Sequence, residues 1–299
     1  MARIELRIAL DSHPVVAITQ IIGPLSMSIS SSINLTEIRS LLTRIADAEL
    51  LPRFQHSRIK TKTDGSLVTE ADLAMQQQLQ QQLMQLHPQI PVLGEEMPSD
   101  EQNALLADTT QGLWVLDPLD GTTNFATGMP CFAVSLALIH NNHTELGLIY
   151  DPLRGECFHA IAGQGAWLNG TPLQLNERRS TLGDCIAMVD LKRLPPELGC
   201  RLVSEPPYRS QRSIGSVALD WCWLAAGRLQ LYLHGSSRLW DYAAGRLIFS
   251  EAGGISRLQE SFMANADDNQ SLHPKIAIAA TNRHLFELWS SWLDTANKK

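Results

Sequence analysis

The sequence predicts an α+β protein of stacked layers, on three observations. Two stretches with helical spacing of apolar residues open the main body, consecutive strands separated by tight-turn dipeptides follow, and strands alternate with helices through the second half. There is no internal repeat and no low-complexity linker. The 299 residues suffice for one large domain or two sub-domains sharing a core.

The first helix begins after Asn34, which fits an N-cap with Glu37 three residues on. Ile33 is placed to staple against Ile38, and Ile38, Leu41, Leu42 and Ile45 recur at helical spacing towards Arg53. Lys60 to Leu67 is polar, contains Asp64-Gly65, and reads as a surface loop. Thr69 to Asp72 opens a second helix with Leu79, Leu83 and Leu86 on one face, ended by His87-Pro88. Leu113 to Leu116 is a short apolar run, and Phe132 to Ile139, Glu145 to Tyr150 and Glu156 to Ile161 read as consecutive strands. Beyond Gly165, strands are expected at Cys185 to Val189, Leu229 to Leu233 and Lys275 to Ala280. Helices are expected at Ser216 to Ala226, Asp241 to Ala252 and from Asn282 to about Thr295.

Composition narrows the function classes. Hydrophobic residues make up 44% and charged residues 18%, so the chain buries a core. The net charge is -7, and no Lys/Arg run can track a phosphate backbone, so no nucleic-acid polymer is expected as partner. Five scattered cysteines without a C-x-x-C pair argue against disulfides and structural zinc and for a reducing, cytoplasmic setting. No apolar stretch approaches the roughly 20 residues of a membrane span, so no membrane association is expected. Met1 to Ser32 reads as an upstream-extended start, with Met27 as an alternative initiator, rather than as a signal peptide.

Four acidic clusters stand out: Asp72 in a first helical turn, Glu95-Glu96 after a short strand, Asp117-Pro118-Leu119-Asp120 after another, and Trp240-Asp241 before a helix. Carboxylates at adjacent strand ends can converge, and hard divalent cations want oxygen ligands. Pro118 stiffens the turn between Asp117 and Asp120, and Gly121-Thr122 follows as a helix start whose free N–H groups bind a phosphate oxygen. Taken singly, Asp72 fits a helix cap, Glu95-Glu96 an exposed acidic pair, Asp241 an N-cap, and Lys62 a solvated loop lysine.

Asp117 to Phe125 resembles the D-P-[IL]-D-G-T-x-N-F signature of the inositol monophosphatase family. Trp240 to Gly245 with Glu251 to Gly254 resembles its second signature, and Gly94-Glu95-Glu96 and Val68 to Asp72 fall in the order the family expects. The resemblance runs from about Asn34 to the C-terminus. It implies a layered αβαβα sandwich over residues 33–299, with an N-terminal metal-binding half (about 33–180) and a C-terminal α/β half (about 181–299), residues 1–32 lying outside. It implies two to three Mg2+ ions. Glu95, Asp117 and the Leu119 carbonyl would hold the first, Asp117, Asp120 and Asp241 the second, and Glu95 would face a weaker third. Asp72 and Thr122, with Glu95, would activate water, the Gly121 and Thr122 amides would hold phosphate, and Glu96 and the loop residue Lys62 would support the site. The implied activity is Mg2+-dependent hydrolysis of a small phosphorylated cyclitol or sugar by a lithium-sensitive homodimer.

The same resemblance covers 3′(2′),5′-bisphosphate nucleotidases and fructose-1,6-bisphosphatases, and a binding or regulatory protein on the phosphatase scaffold is the alternative of another class. Inositol-specific members often carry a Glu a few residues before Trp-Asp, whereas Tyr232 to Leu239 contains no carboxylate. His234 and Arg238 are therefore read as a candidate substrate rim on a loop, and Arg209 and Arg212 as candidates for a second phosphate.

Overall fold

The computed structural model describes residues 29–296 apart from 63, 64, 177, 263 and 268. The N-terminal extension up to residue 28, with the alternative start at Met27, lies outside the described residues. Ile29–Ser32 forms a 3-10 turn, and Ile29 packs against the core beneath the first helix.

In chain order the elements are α1 (Leu35–Glu49), β1 (Ile59–Thr61), β2 (Leu67–Thr69), α2 (Glu70–Leu86), β3 (Val92–Gly94), α3 (Ser99–Leu106), β4 (Leu113–Asp120) and α4 (Thr122–Thr127). β5 (Ala133–His140), β6 (His143–Asp151), β7 (Glu156–Ile161), β8 (Ala166–Leu168) and β9 (Thr171–Leu173) complete the first half. β10 (Ile186–Asp190), α5 (Pro196–Ser204), β11 (Ser210–Arg212), α6 (Val217–Ala225), β12 (Leu231–Ser237), α7 (Leu239–Glu251), β13 (Ile255–Gln259), β14 (Lys275–Ala280) and α8 (Arg283–Ala296) form the second.

Strands β3 to β9 pair in sequence order as a seven-stranded sheet, antiparallel except for the β3–β4 pair. A five-stranded sheet has the order β11-β10-β12-β14-β13, with β10, β11 and β12 parallel and β14 antiparallel to both its neighbours. Side chains alternate across each strand, and that alternation builds the layers. From β4, Trp114 and Leu116 pack under α1 and α2, whereas Leu113 and Val115 face α6 and α7. From β12, Tyr232 joins the α6–α7 side, whereas Leu231 and Leu233 pack against α5 and α8. The result is an αβαβα sandwich with α6 and α7 between the sheets.

Asn34 caps α1 by accepting the Glu37 N–H at 3.3 Å, and Ile33 and Ile38 are buried in one cluster. The stretch read as a loop at 60–67 is instead a two-stranded hairpin of β1 and β2, pairing Lys60 with Val68. Its Asp64 lies outside the described residues. The helix expected from Asp241 starts two residues earlier, at Leu239.

Candidate metal and phosphate site

The centre grows from the end of β4. All eight residues of this strand are buried, and its pairing with β5 breaks register between Asp117 and Asp120. Pro118, within the break, has no N–H to offer β5. The Leu119 N–H donates to Asp117 Oδ1 at 3.0 Å, which holds the carboxylate turned back over the chain. Gly121 then adopts φ +92°, and a Cβ there would lie 2.8 Å from the Cys131 carbonyl. Only glycine takes that turn without a clash. Asn124 fastens the short α4 beyond it, its Nδ2 donating to Cys131 O and Ile214 O, each at 2.7 Å.

Two other helices bring the remaining carboxylate and its support. Asp120 Oδ2 accepts the Ala218 N–H at 2.8 Å and a short bond from Ser216 Oγ, both from the N-terminus of α6. Asp241, in the first turn of α7, accepts the Arg238 N–H at 2.8 Å. Asp117, Asp120 and Asp241 thereby offer ligand oxygens all within 4.8 Å of one another. Burial, then repulsion from Glu95 and from each other, pushes Asp117 well above the ordinary carboxylate range. Burial and the Asp120 charge do the same to Asp241. Burial outweighs the Ser216 and Ala218 hydrogen bonds on Asp120, which is pushed up to about 6. Among the described residues no lysine or arginine is paired with any of the three. Crowded oxygen-only donors, Asp117 and Asp120 buried and Asp241 half-buried, fit a hard divalent cation.

Glu95 follows β3, its N–H donating to Leu116 O on β4 at 3.1 Å. Gln102 of α3 grips the Gly94 and Glu95 carbonyls at 2.9 and 3.1 Å. The Lys62 ammonium bridges Glu95 Oε1 at 2.9 Å and Glu96 Oε1 at 2.5 Å. Burial works against the Lys62 charge, but the two carboxylates prevail and hold its pKa above the ordinary value. Lys62 is therefore in direct contact with the acidic cluster.

Asp72 is fully buried at the start of α2. Its Oδ2 accepts the Thr69 N–H at 2.8 Å and the Thr69 hydroxyl at 2.6 Å, and its Oδ1 lies 3.1 Å from Thr122 Oγ1. Thr122 Oγ1 is also 3.0 Å from Leu119 O, so its single proton has two acceptors. Burial pushes Asp72 up to about 6 against the opposing Thr69 bonds.

The inositol monophosphatase family model matches residues 34–289. The chain belongs to this family. Inositol monophosphatase 1 of Solanum lycopersicum is 36% identical over 233 residues, covering 76% of this chain and 82% of that protein. Nus factor SuhB of Escherichia coli K12 is 37% identical over 201 residues, covering 65% and 72%. Among solved structures, the extragenic suppressor protein suhB of Bartonella henselae superposes with a TM-score of 0.73 at 28% identity, covering 89% of this chain and 99% of that one.

The expected rim is arranged differently from the sequence reading. His234 sits within β12 at 3% exposure, not on a solvated loop, and its Nε2 faces Asp190 Oδ2 at 3.3 Å. Gly235 to Ser237 mimic a loop in sequence, but they continue the strand through a bulge against β14. Arg238 caps α7 through its N–H, and its guanidinium donates to Leu272 O at 3.2 Å. Arg209 pairs with Asp184 at 3.0 Å, and Arg212 folds back on Ser210 Oγ and Gln211 O. Sequence reasoning did not find Ser216, Gln102 or Asn124 as supports. Ser216 carried a signal, as the polar residue directly before the apolar run of α6.

Proposed function

We propose that the protein is a Mg2+-dependent phosphomonoesterase acting on a small phosphorylated cyclitol or sugar. The observation that carries this reading is the convergence of Asp117, Asp120 and Asp241 beside the Asp72–Thr122 pair. Glu95, Asp117 and the Leu119 carbonyl would hold one ion, Asp117, Asp120 and Asp241 a second, with Glu95 facing a third. Bound there, magnesium supplies positive charge to the phosphate oxygens and lowers the pKa of its water.

The chain's own groups do the rest. The Gly121 and Thr122 amides at the start of α4 donate to a phosphate oxygen. Thr122 Oγ1 accepts a proton from the attacking water and passes its own to Asp72 Oδ1, whose raised pKa suits it to hold that proton near neutrality. Thr69 keeps Asp72 aimed at Thr122. Gln102 and Lys62 set the position of Glu95. Phosphate release from inositol 1-phosphate, fructose 1,6-bisphosphate, adenosine 3′,5′-bisphosphate and histidinol phosphate, with and without magnesium, tests the reading. Magnesium-dependent release supports it, and no release from any of them counts against it.

The similarity to proteins called Nus factor SuhB favours a second reading, in which the same fold also binds a protein partner. Stable partner capture by the Asp117→Asn variant would support that role independently of turnover.

A further inference from the structure

One helix touches two separate parts of the acidic centre. Asp72 stands in the first turn of α2, and its Oδ1 lies 3.1 Å from Thr122 Oγ1. Gln76 follows four residues later, on the same face of α2 and one turn further from its start. Its Oε1 accepts the Glu96 N–H at 3.1 Å. The helix that carries Asp72 is thereby tied to the turn that carries Glu95 and Glu96.

The same turn is fixed at its other polar groups. Gln102 Nε2 donates to the Gly94 and Glu95 carbonyls, and the Glu95 N–H donates to Leu116 O on β4. Among the described residues, Gln76 is the acceptor that serves the Glu96 N–H. It completes the pinning of the turn from the α2 side. The two carboxylates of the turn are joined through Lys62, whose ammonium bridges Glu95 Oε1 and Glu96 Oε1. A shift of the Glu96 backbone therefore disturbs both of them.

Gly94 shows how closely Gln76 approaches. A Cβ on Gly94 would lie 2.3 Å from Gln76 Oε1 and 2.5 Å from its Cδ, far inside any non-bonded contact distance. Gly94 does not have a positive φ, so the backbone path alone does not require glycine there. The space taken by the Gln76 amide requires it. An added methyl would meet the far end of a flexible side chain, so Gly94→Ala is absorbed by swinging that amide off the Glu96 N–H. The contact can thus be broken from either side.

We propose that Gln76 is a positioning residue: through the Glu96 N–H, and over the bare Cα of Gly94, it sets Glu95 at the distance from Asp72 and Thr122 that magnesium binding and water attack require. The inference rests on the phosphatase reading and adds to it a residue that touches neither metal nor substrate.

The test titrates magnesium calorimetrically into metal-free wild type, Gln76→Met, Gln76→Glu, Gly94→Ala and the double variant Gln76→Met/Gly94→Ala, with thermal unfolding of each metal-free protein alongside. Gln76→Met keeps the length of the side chain and removes the acceptor. It is expected to weaken magnesium binding about 10-fold. Its unfolding temperature should fall by no more than about 4 °C, the scale of one lost hydrogen bond. Gln76→Glu, which keeps an acceptor oxygen at the same reach, should recover part of the lost affinity. Gly94→Ala should show a loss like that of Gln76→Met, and the double variant should lose no more than either single one, because both act on one contact. If Gln76→Met does not fold, Gly94→Ala reads the contact by itself. Wild-type magnesium affinity in Gln76→Met or in Gly94→Ala, or losses that multiply in the double variant, overturns the inference while leaving the phosphatase reading intact. No magnesium binding by wild type overturns both together.

Discussion

Thr122 Oγ1 lies 3.1 Å from Asp72 Oδ1, although the two residues are 50 apart in the chain. The contact joins the first turn of α4 to the first turn of α2 and sets a hydroxyl against a buried carboxylate. Thr122→Ala removes the hydroxyl with a small change in volume at a helix start. Turnover is expected to fall about 10²- to 10⁴-fold with thermal stability close to wild type. An unchanged kcat would remove Thr122 from proton transfer.

Burial raises the Asp117 pKa, and repulsion from Glu95, Asp120 and Asp241 raises it further. Asp117→Asn should abolish measurable magnesium binding by calorimetry and lower turnover by about 10²-fold or more. Because one buried charge disappears, the metal-free variant should unfold at a temperature equal to or above that of metal-free wild type. A variant with normal magnesium binding would contradict the ligand assignment.

The raised carboxylates also fix a pH dependence for the metal-free protein. Asp72 and Asp120 are pushed up to about 6, against about 4 when unfolded. Between these values the folded state holds protons that the unfolded state has released, so stability is lost as pH rises from about 4 through about 6. Under the proposed ligand assignment magnesium would bind the folded state and displace the Asp120 proton, so its stabilising effect should grow over the same window. Thermal unfolding with and without magnesium should show a small shift near about pH 5 and a larger one near about pH 7.5. A shift independent of pH would contradict this origin.

Gly235→Ala forces the Arg193 carbonyl away from β12, since the added carbon would sit 1.9 Å from it. Overpacking of this kind costs about 1–3 kcal/mol, visible as a lower urea midpoint at unchanged slope.

The layered fold was legible because α1, α2 and the strands from β5 to β7 obey clear periodicities and carry turn residues at their ends. The convergence of Asp117, Asp120 and Asp241 was legible because Asp117 to Phe125 and Trp240-Asp241 each set carboxylates beside a helix start within a few residues. What stayed hidden depends on distant partners. Ser216 reads as a helix cap, but its bond to Asp120 spans 96 positions. The polar α3 buries only Gln102 and shows little apolar periodicity. Gly235 to Ser237 look like a turn and became a strand because β14 pairs with them across a bulge, which turned an expected rim histidine into a buried partner of Asp190.

Metal removal tests the central claim most directly. Wild type and Asp241→Asn would be stripped with a chelator and titrated with magnesium while phosphate release is followed. The account predicts no release from stripped wild type, full recovery on adding magnesium, and a much higher magnesium requirement or no recovery in Asp241→Asn. Phosphate release from the stripped wild type that magnesium does not change would contradict it.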